Sequence, residues 1–285
     1  MGELDDIRFG EVHHQIEPPP PPPGGFHMSK TRSLFELVAV VVVVVGGILF
    51  LVTSSAWMAR KAVKSVPPSV DKATGKAGWA QMRLGGKECT SAASKNYLEA
   101  IMKPLLAQTD SEFDFEYMVV DDESVNAFAL PGGFLMIHYG LIQKAESGEE
   151  IAGVMAHEIS HATLRHSVEL ILRQLGRKVL VSFVFGFGDV SALIDYGSAI
   201  TELKYQRSQE TAADENGHRI LKKAGISPLG MAQFFSRLKK DELHVPELIS
   251  THPGSAKRSE NAQKAAEGFT PTLNLPSPKG VPCHN

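Results

Sequence analysis

The sequence predicts an α+β protein, mainly helical with a small antiparallel sheet, preceded by one transmembrane helix. Three observations predict it. Every residue from Leu37 to Val52 is apolar or glycine. Short apolar runs flank Pro131-Gly132-Gly133, which is hairpin punctuation. The second half carries apolar residues at helical spacing behind capping signals. A length of 285 residues with 43% hydrophobic content suffices for one well-buried domain plus extensions.

Residues 1–33 are polar and contain the proline run Pro18 to Pro23, which favours extended polyproline conformation and cannot build a core. They read as a disordered tail. The apolar run that follows spans 34–59 and ends near Trp57. About 20 residues at 1.5 Å each cross a hydrocarbon layer of roughly 30 Å. A cleaved signal peptide has a shorter apolar region and a shorter leader, so an uncleaved anchor in a lipid bilayer is the better reading. Lys30 and Arg32 on one side against Arg60, Lys61 and Lys64 on the other favour a cytoplasmic domain by the charge rule, with a margin of one residue.

Residues 60–92, with Pro67-Pro68 and a Gly/Lys-rich stretch, read as a linker, 93–268 as the folded domain and 269–285 as a polar C-terminal tail. Within the domain, Asn96 to Leu106 has helical spacing and Phe113 to Val120 reads as a strand. Asn126 to Leu130 and Phe134 to His138 read as two more strands. Ser147 with Glu150 forms a capping box, so a helix starts there and runs to about Arg173. A further helix is expected from about Ser198 to Lys223, stopped by Gly225, and another after Ser227-Pro228. The apolar stretch 179–187 is too short to span a bilayer and reads as a buried helix or lid.

The balance of 29 Lys+Arg against 32 Asp+Glu, a formal charge of -3, supplies no general basic field, so nucleic acid is not an expected partner. Cys89 and Cys283 lack the paired spacing of a thiolate zinc site. They are read as separate thiols, with one long-range disulfide as the alternative.

His157-Glu158-Ile159-Ser160-His161 places two imidazoles one helical turn apart, able to face one metal, while Glu158 is offset toward a water beside it. A catalytic zinc site keeps one coordination position open and needs a carboxylate to take the proton from water. On the later helix Glu210 and Asp214 share a face. The chemistry assigns Glu210 to the metal and Asp214 to the outer nitrogen of a histidine ligand, His157 being the candidate. An exposed acidic stripe is the bland alternative.

These residues resemble the HtpX-like and CAAX-prenyl-protease group of zinc metalloendopeptidases, the gluzincins of family forty-eight of the metallopeptidases. Beyond the His-Glu-x-x-His core, the likeness rests on Asn126 to Gly133, Gly140-Leu141-Ile142, Glu210-x-x-Ala213-Asp214, and Thr251-His252-Pro253 with Arg258. It covers about residues 95–265. It implies a zincin-type domain, one zinc per chain held by His157, His161 and Glu210, Glu158 as catalytic base, Asp214 behind the ligands and His252 near the scissile carbonyl. Asn126 is the candidate for hydrogen bonding to a substrate backbone. Relatives often carry a Ser-Arg pair before the glutamate motif, whereas this chain has Arg207-Ser208. The single span is similar to Oma-type and periplasmic members, which implies a domain in the periplasm or an equivalent space and unfolded or misassembled membrane or envelope proteins as substrates. The rival is a membrane-tethered assembly or chaperone-like factor that keeps the zinc fold, expected to have lost the base or a ligand. All four positions are present here.

Overall fold

The computed structural model describes residues 30–85, 87–174, 204–238, 248, 252 and 256–285. The chain divides into two compact units, Met1–Leu51 and Val52–Asn285. The proline tail, the 179–187 stretch and the expected helix start at 198–203 lie outside the described residues. Helix α1 (Lys30–Val63) contains the apolar run. Among the described residues, no helix is long and apolar enough to cross a membrane. In the first unit the side chains from Leu34 to Val45 that are described stand exposed.

In the second unit the order is α2 (Pro68–Leu84), α3 (Ala92–Leu106), β1 (Glu116–Val120), β2 (Ala127–Leu130), β3 (Phe134–His138), α4 (Tyr139–Lys144), α5 (Gly148–Thr163), α6 (Arg207–Lys223), α7 (Gly230–Leu238) and α8 (Ala256–Ala266). The sheet is mixed, in the order β1-β3-β2, which corrects the expected antiparallel one. β2 and β3 form the antiparallel hairpin, with Ala127 opposite Ile137, and β1 pairs parallel to β3, with Glu116 opposite Phe134. Both outer strands run opposite ways because β3 slots between them. Hydrophobic pattern fixes which face each residue takes, but not which strand lies next to which. The hairpin turn needs glycine: Gly132 and Gly133 have φ of 79° and 94°, a region that β-carbons disfavour.

Alternation along the strands builds two apolar layers. Met118, Val120, Phe128, Leu130, Phe134 and Met136 face one side and pack with Trp79 of α2. Val119, Ala127, Ala129, Leu135 and Ile137 face the other, joined by Leu98, Ile101 and Met102 of α3, Ile151 and Met155 of α5, and Phe234 of α7. Each large side chain fully buried there contributes roughly 1.5–3 kcal/mol. The 60–92 segment is thus a structural layer as well as a connection. Its helix escaped the sequence reading because Gly75 and Gly78 look like linker, whereas they let α2 lie against Pro131 and Leu130.

Helix α5 is buried over nearly its whole length. Ser147 Oγ accepts the Glu150 N–H at its start, and Glu149 and Glu150 suit the positive end of the helix dipole. It ends at Thr163, short of the expected Arg173, because Arg165 adopts φ 57°. The Arg165 guanidinium holds that turn by two bonds to Asp71 (2.8 and 2.6 Å) and by donating to the carbonyls of Val63 and Val66. Helix resumes at 166–174. Helix α6 begins at Arg207, later than expected, with residues 204–206 non-helical before it.

The C-terminal tail is docked. Leu273 and Leu275 pack on the core, and Ser91 N–H donates to the Cys283 carbonyl at 3.0 Å. Cys89 and Cys283 are joined as a disulfide across 194 residues, which corrects the separate-thiol reading. Spacing in sequence could not show that the tail returns beside Cys89.

Candidate active site

Helix α5 places His157 and His161 one turn apart on its buried face, with Nε2 atoms 2.9 Å from each other. Helix α6 lies alongside. A β-carbon at Gly217 would stand 3.3 Å from the Ala156 carbonyl oxygen, so glycine permits the close approach. This approach brings Glu210 into the pair: Oε2 is 3.5 Å from His157 Nε2 and Oε1 is 3.4 Å from His161 Nε2. His252 enters from the other side, Nδ1 at 3.0 Å from Glu210 Oε1 and 3.2 Å from His157 Nε2. These four residues form a buried group whose ligand atoms all lie within 4.8 Å of one another.

The outer atoms are engaged as well. His157 Nδ1 is 3.0 Å from Asp214 Oδ1, and His161 Nδ1 is 3.0 Å from His166 Nδ1. The Asp214 carboxylate is within ion-pair distance of His157 Nδ1 without the alignment of a hydrogen bond; each imidazole offers Nε2 inward, and Glu210 adds a carboxylate. Two imidazoles and one carboxylate suit a divalent ion of the zinc kind. Glu158 is fully buried, and among the described residues neither of its carboxylate oxygens has a hydrogen-bond partner. Its nearest charge partner is His252 Nε2 at 3.5 Å. An acid left unpaired in such a place calls for an explanation beyond packing.

Burial opposes charge throughout the cluster. Burial would lower His157, but the Glu210 and Asp214 carboxylates outweigh it and push the imidazole up to about 9. His161 is driven well below its ordinary value, by burial first and the neighbouring His157 charge second. Burial raises Glu158, against the pull of His252 and His157. Burial also disfavours the Asp214 anion, yet His157 and Arg258 hold its carboxyl down at about 2. His166 falls to about 4 through burial.

Two contributors were not legible. Arg258, in the sequence only the last residue of a motif, donates to Asp214 through Nε at 2.6 Å and Nη2 at 2.8 Å, and also pairs with Glu210. Tyr205 stacks on His161 at a centroid distance of 3.8 Å, with its hydroxyl 3.0 Å from Ser167 Oγ. No spacing rule points to either. Asn126 is buried before β2, its Oδ1 accepting the Ala127 N–H at 2.9 Å. Arg207 is exposed and stands apart from this cluster in the contacts among described residues.

Paired imidazoles, a carboxylate from a second helix and an unpartnered buried acid beside them are the residue types that a metal-dependent hydrolase uses as donors and base. The profile of peptidase family M48 matches residues 92–266, and the chain belongs to that family. It is 31% identical over 197 residues to a putative beta-barrel assembly-enhancing protease of Vibrio cholerae, covering 63% of this chain and 40% of that one. It is 30% identical over 177 residues to mitochondrial metalloendopeptidase OMA1 of Arabidopsis thaliana, covering 61% and 34%. Against metalloprotease LoiP of Escherichia coli it is 28% identical over 152 residues, covering 51% and 60%. The chain therefore spans between about a third and three fifths of the length of these relatives.

If Asp214 orients His157, Asp214→Asn lowers zinc affinity about 10 to 100-fold, and excess zinc restores part of the lost activity. Wild-type affinity in a zinc titration of that variant would instead make Asp214 a bystander.

Proposed function

We propose that the chain is a zinc metalloendopeptidase, with one zinc held by His157, His161 and Glu210 and with Glu158 as the base. The observation that carries this is the convergence of those three donors beside a buried carboxylate without a partner. When bound, zinc supplies Lewis acidity toward the scissile carbonyl and the attacking water. Glu158 accepts the proton of that water and delivers it to the leaving amine. His252 donates a hydrogen bond to the oxyanion as it develops. Asp214 and His166 fix the rings of the two histidines, while Arg258 pairs with both Asp214 and Glu210.

The Nδ1 of His252 lies 3.0 Å from Glu210 Oε1, which leaves Nε2, 3.5 Å from Glu158 Oε1, as the nitrogen for the bond to the oxyanion. An extended peptide would lie along the sheet edge near Asn126, recognised mainly through its backbone. The assembly-factor rival is disfavoured because all three ligands and the base are present. Purified chain should cleave casein, stop on treatment with ortho-phenanthroline and recover with added zinc. Cleavage insensitive to the chelator would remove the metal from the reaction.

The substrate class we infer is unfolded or misassembled membrane and envelope proteins, supported by the names of the relatives. Attachment to a bilayer through α1 is supported by the unbroken apolar run Leu37 to Val52 and the exposed side chains along it. The domain then lies in the periplasm or an equivalent oxidising space, where a disulfide persists. In intact spheroplasts, added protease should digest the region after Trp57 and spare the first 33 residues. Protection of the catalytic domain until the membrane is breached would reverse the orientation.

A further inference from the structure

A second group of metal-ligating atoms sits where the C-terminal tail meets the start of the domain. Cys89, Asp121 and Cys283 bring ligand atoms within 4.8 Å of one another. His284 stands outside that group but beside two of its members, its Nε2 at 2.9 Å from Asp121 Oδ2 and 3.5 Å from Cys283 Sγ. The other ring nitrogen, Nδ1, is 3.3 Å from Thr90 Oγ1, an outer partner of the kind that fixes a ligating imidazole. Both cysteines are buried, while the side chains of His284 and Asp121 are 51% and 45% exposed, so the group is open to solvent on one side.

Hydrogen bonds tie the two cysteine segments together in addition to the sulfur bond. The Cys89 N–H donates to the Val119 carbonyl at 2.9 Å, and Glu88 bridges to Val120, which fixes Cys89 to β1. On the other side Ser91 grips the tail twice, its N–H to the Cys283 carbonyl and its hydroxyl to the Pro282 carbonyl at 2.6 Å. Tyr139 adds a bond from its hydroxyl to the Val281 carbonyl at 2.9 Å. These contacts act on backbones whose Cα atoms are 4.7 Å apart, and they do not involve the sulfur bond. Two sulfurs bound to one zinc, each about 2.3 Å from it, stand roughly 3.8 Å apart, a separation that side-chain rotation reaches.

We propose that reduction of the Cys89–Cys283 disulfide creates a second metal site, made by Cys89, Cys283, His284 and Asp121, for a thiophilic divalent cation of the zinc kind. The reductant is a dithiol. It transfers two electrons and two protons to the sulfurs, the S–S bond breaks, and the dithiol becomes a disulfide. On metal binding each cysteine thiol releases its proton to water and the thiolate ligates. Two thiolates, an imidazole and a carboxylate complete a tetrahedral set. The tail is then held by sulfur in both redox states, by a covalent bond in one and through the ion in the other. The site lies outside the catalytic group and does not depend on it.

The test uses the full chain, oxidised and after reduction with a phosphine, each dialysed against zinc and against cobalt(II). Bound zinc should rise from one to two per chain on reduction. Cobalt should produce a thiolate charge-transfer band only in the reduced chain, and that band reads this site alone because the catalytic donors contain no sulfur. The band should be absent in the Cys89→Ser/Cys283→Ser variant and present in His161→Ala. In His284→Ala, the cobalt affinity of the reduced chain should fall by more than the roughly 10 to 100-fold of an outer-shell loss. Reduced chain with no thiolate band, or with unchanged affinity in His284→Ala, overturns the proposal. So does loss of the fold on reduction before metal is added, since the backbone contacts would then not be what keeps the thiols together. A low zinc count in the oxidised chain bears on the catalytic site only.

Discussion

Glu158→Gln is expected to reduce peptide hydrolysis by at least about 10²–10⁴-fold, the usual contribution of a positioned acid–base group, while the chain keeps its zinc. The amide fills the same space as the carboxylate, and Glu158 contributes none of the atoms in the donor group. The side chain is fully buried with both oxygens unpartnered among the described residues, so the substitution breaks no hydrogen bond that supports the fold. Loss of the metal along with activity would move Glu158 into the ligand set. Retained activity would remove it as the base. Glu210→Ala serves as the contrast, because losing a ligand should lose metal and activity together.

The second large effect is expected at Arg258. Its guanidinium spans Asp214 and Glu210, both nearly fully buried. Removing one partner from a buried ionic cluster costs about 3–5 kcal/mol, because the remaining charges lose their compensation without regaining water. Arg258→Ala should therefore lower the unfolding midpoint of zinc-free protein by many degrees. Added zinc should recover much of the loss, since a ligand bound only by the folded state stabilises by mass action. Arg258→Lys should fall in between, because one ammonium cannot form the paired bonds that the planar guanidinium gives Asp214. An unchanged melting curve in Arg258→Ala would show that the two carboxylates do not need the cation.

What the sequence made legible follows from which interactions are local. Two histidines four residues apart are neighbours on any helix, and Ser147 three residues before Glu150 caps that helix by chain geometry alone. The hairpin at Gly132-Gly133 is likewise a property of its own few residues. The pairing of β1 with β3 joins segments separated by the whole of β2 and is not a property of either strand alone. The stacking of Tyr205 on His161, the reach of Arg258 to Asp214 and the meeting of Cys89 with Cys283 all depend on distant parts of the chain. Gly75 and Gly78 misled for a related reason: the same residue type marks a loose linker and a tight helix contact, and only the partner tells them apart.

The distribution of the site along the chain also sets when it can exist. His157 and His161 lie on one helix, but Glu210 reaches them from another, and Arg258, the cation that lets Glu210 and Asp214 sit together, comes from α8 near the C-terminus. An emerging polypeptide therefore carries the paired histidines long before it carries the means to hold the carboxylates against them. On the proposed reading, hydrolytic competence arrives only when these distant segments have come together, so a chain still being made, or one that has partly come apart, would present no blade to itself or to its neighbours.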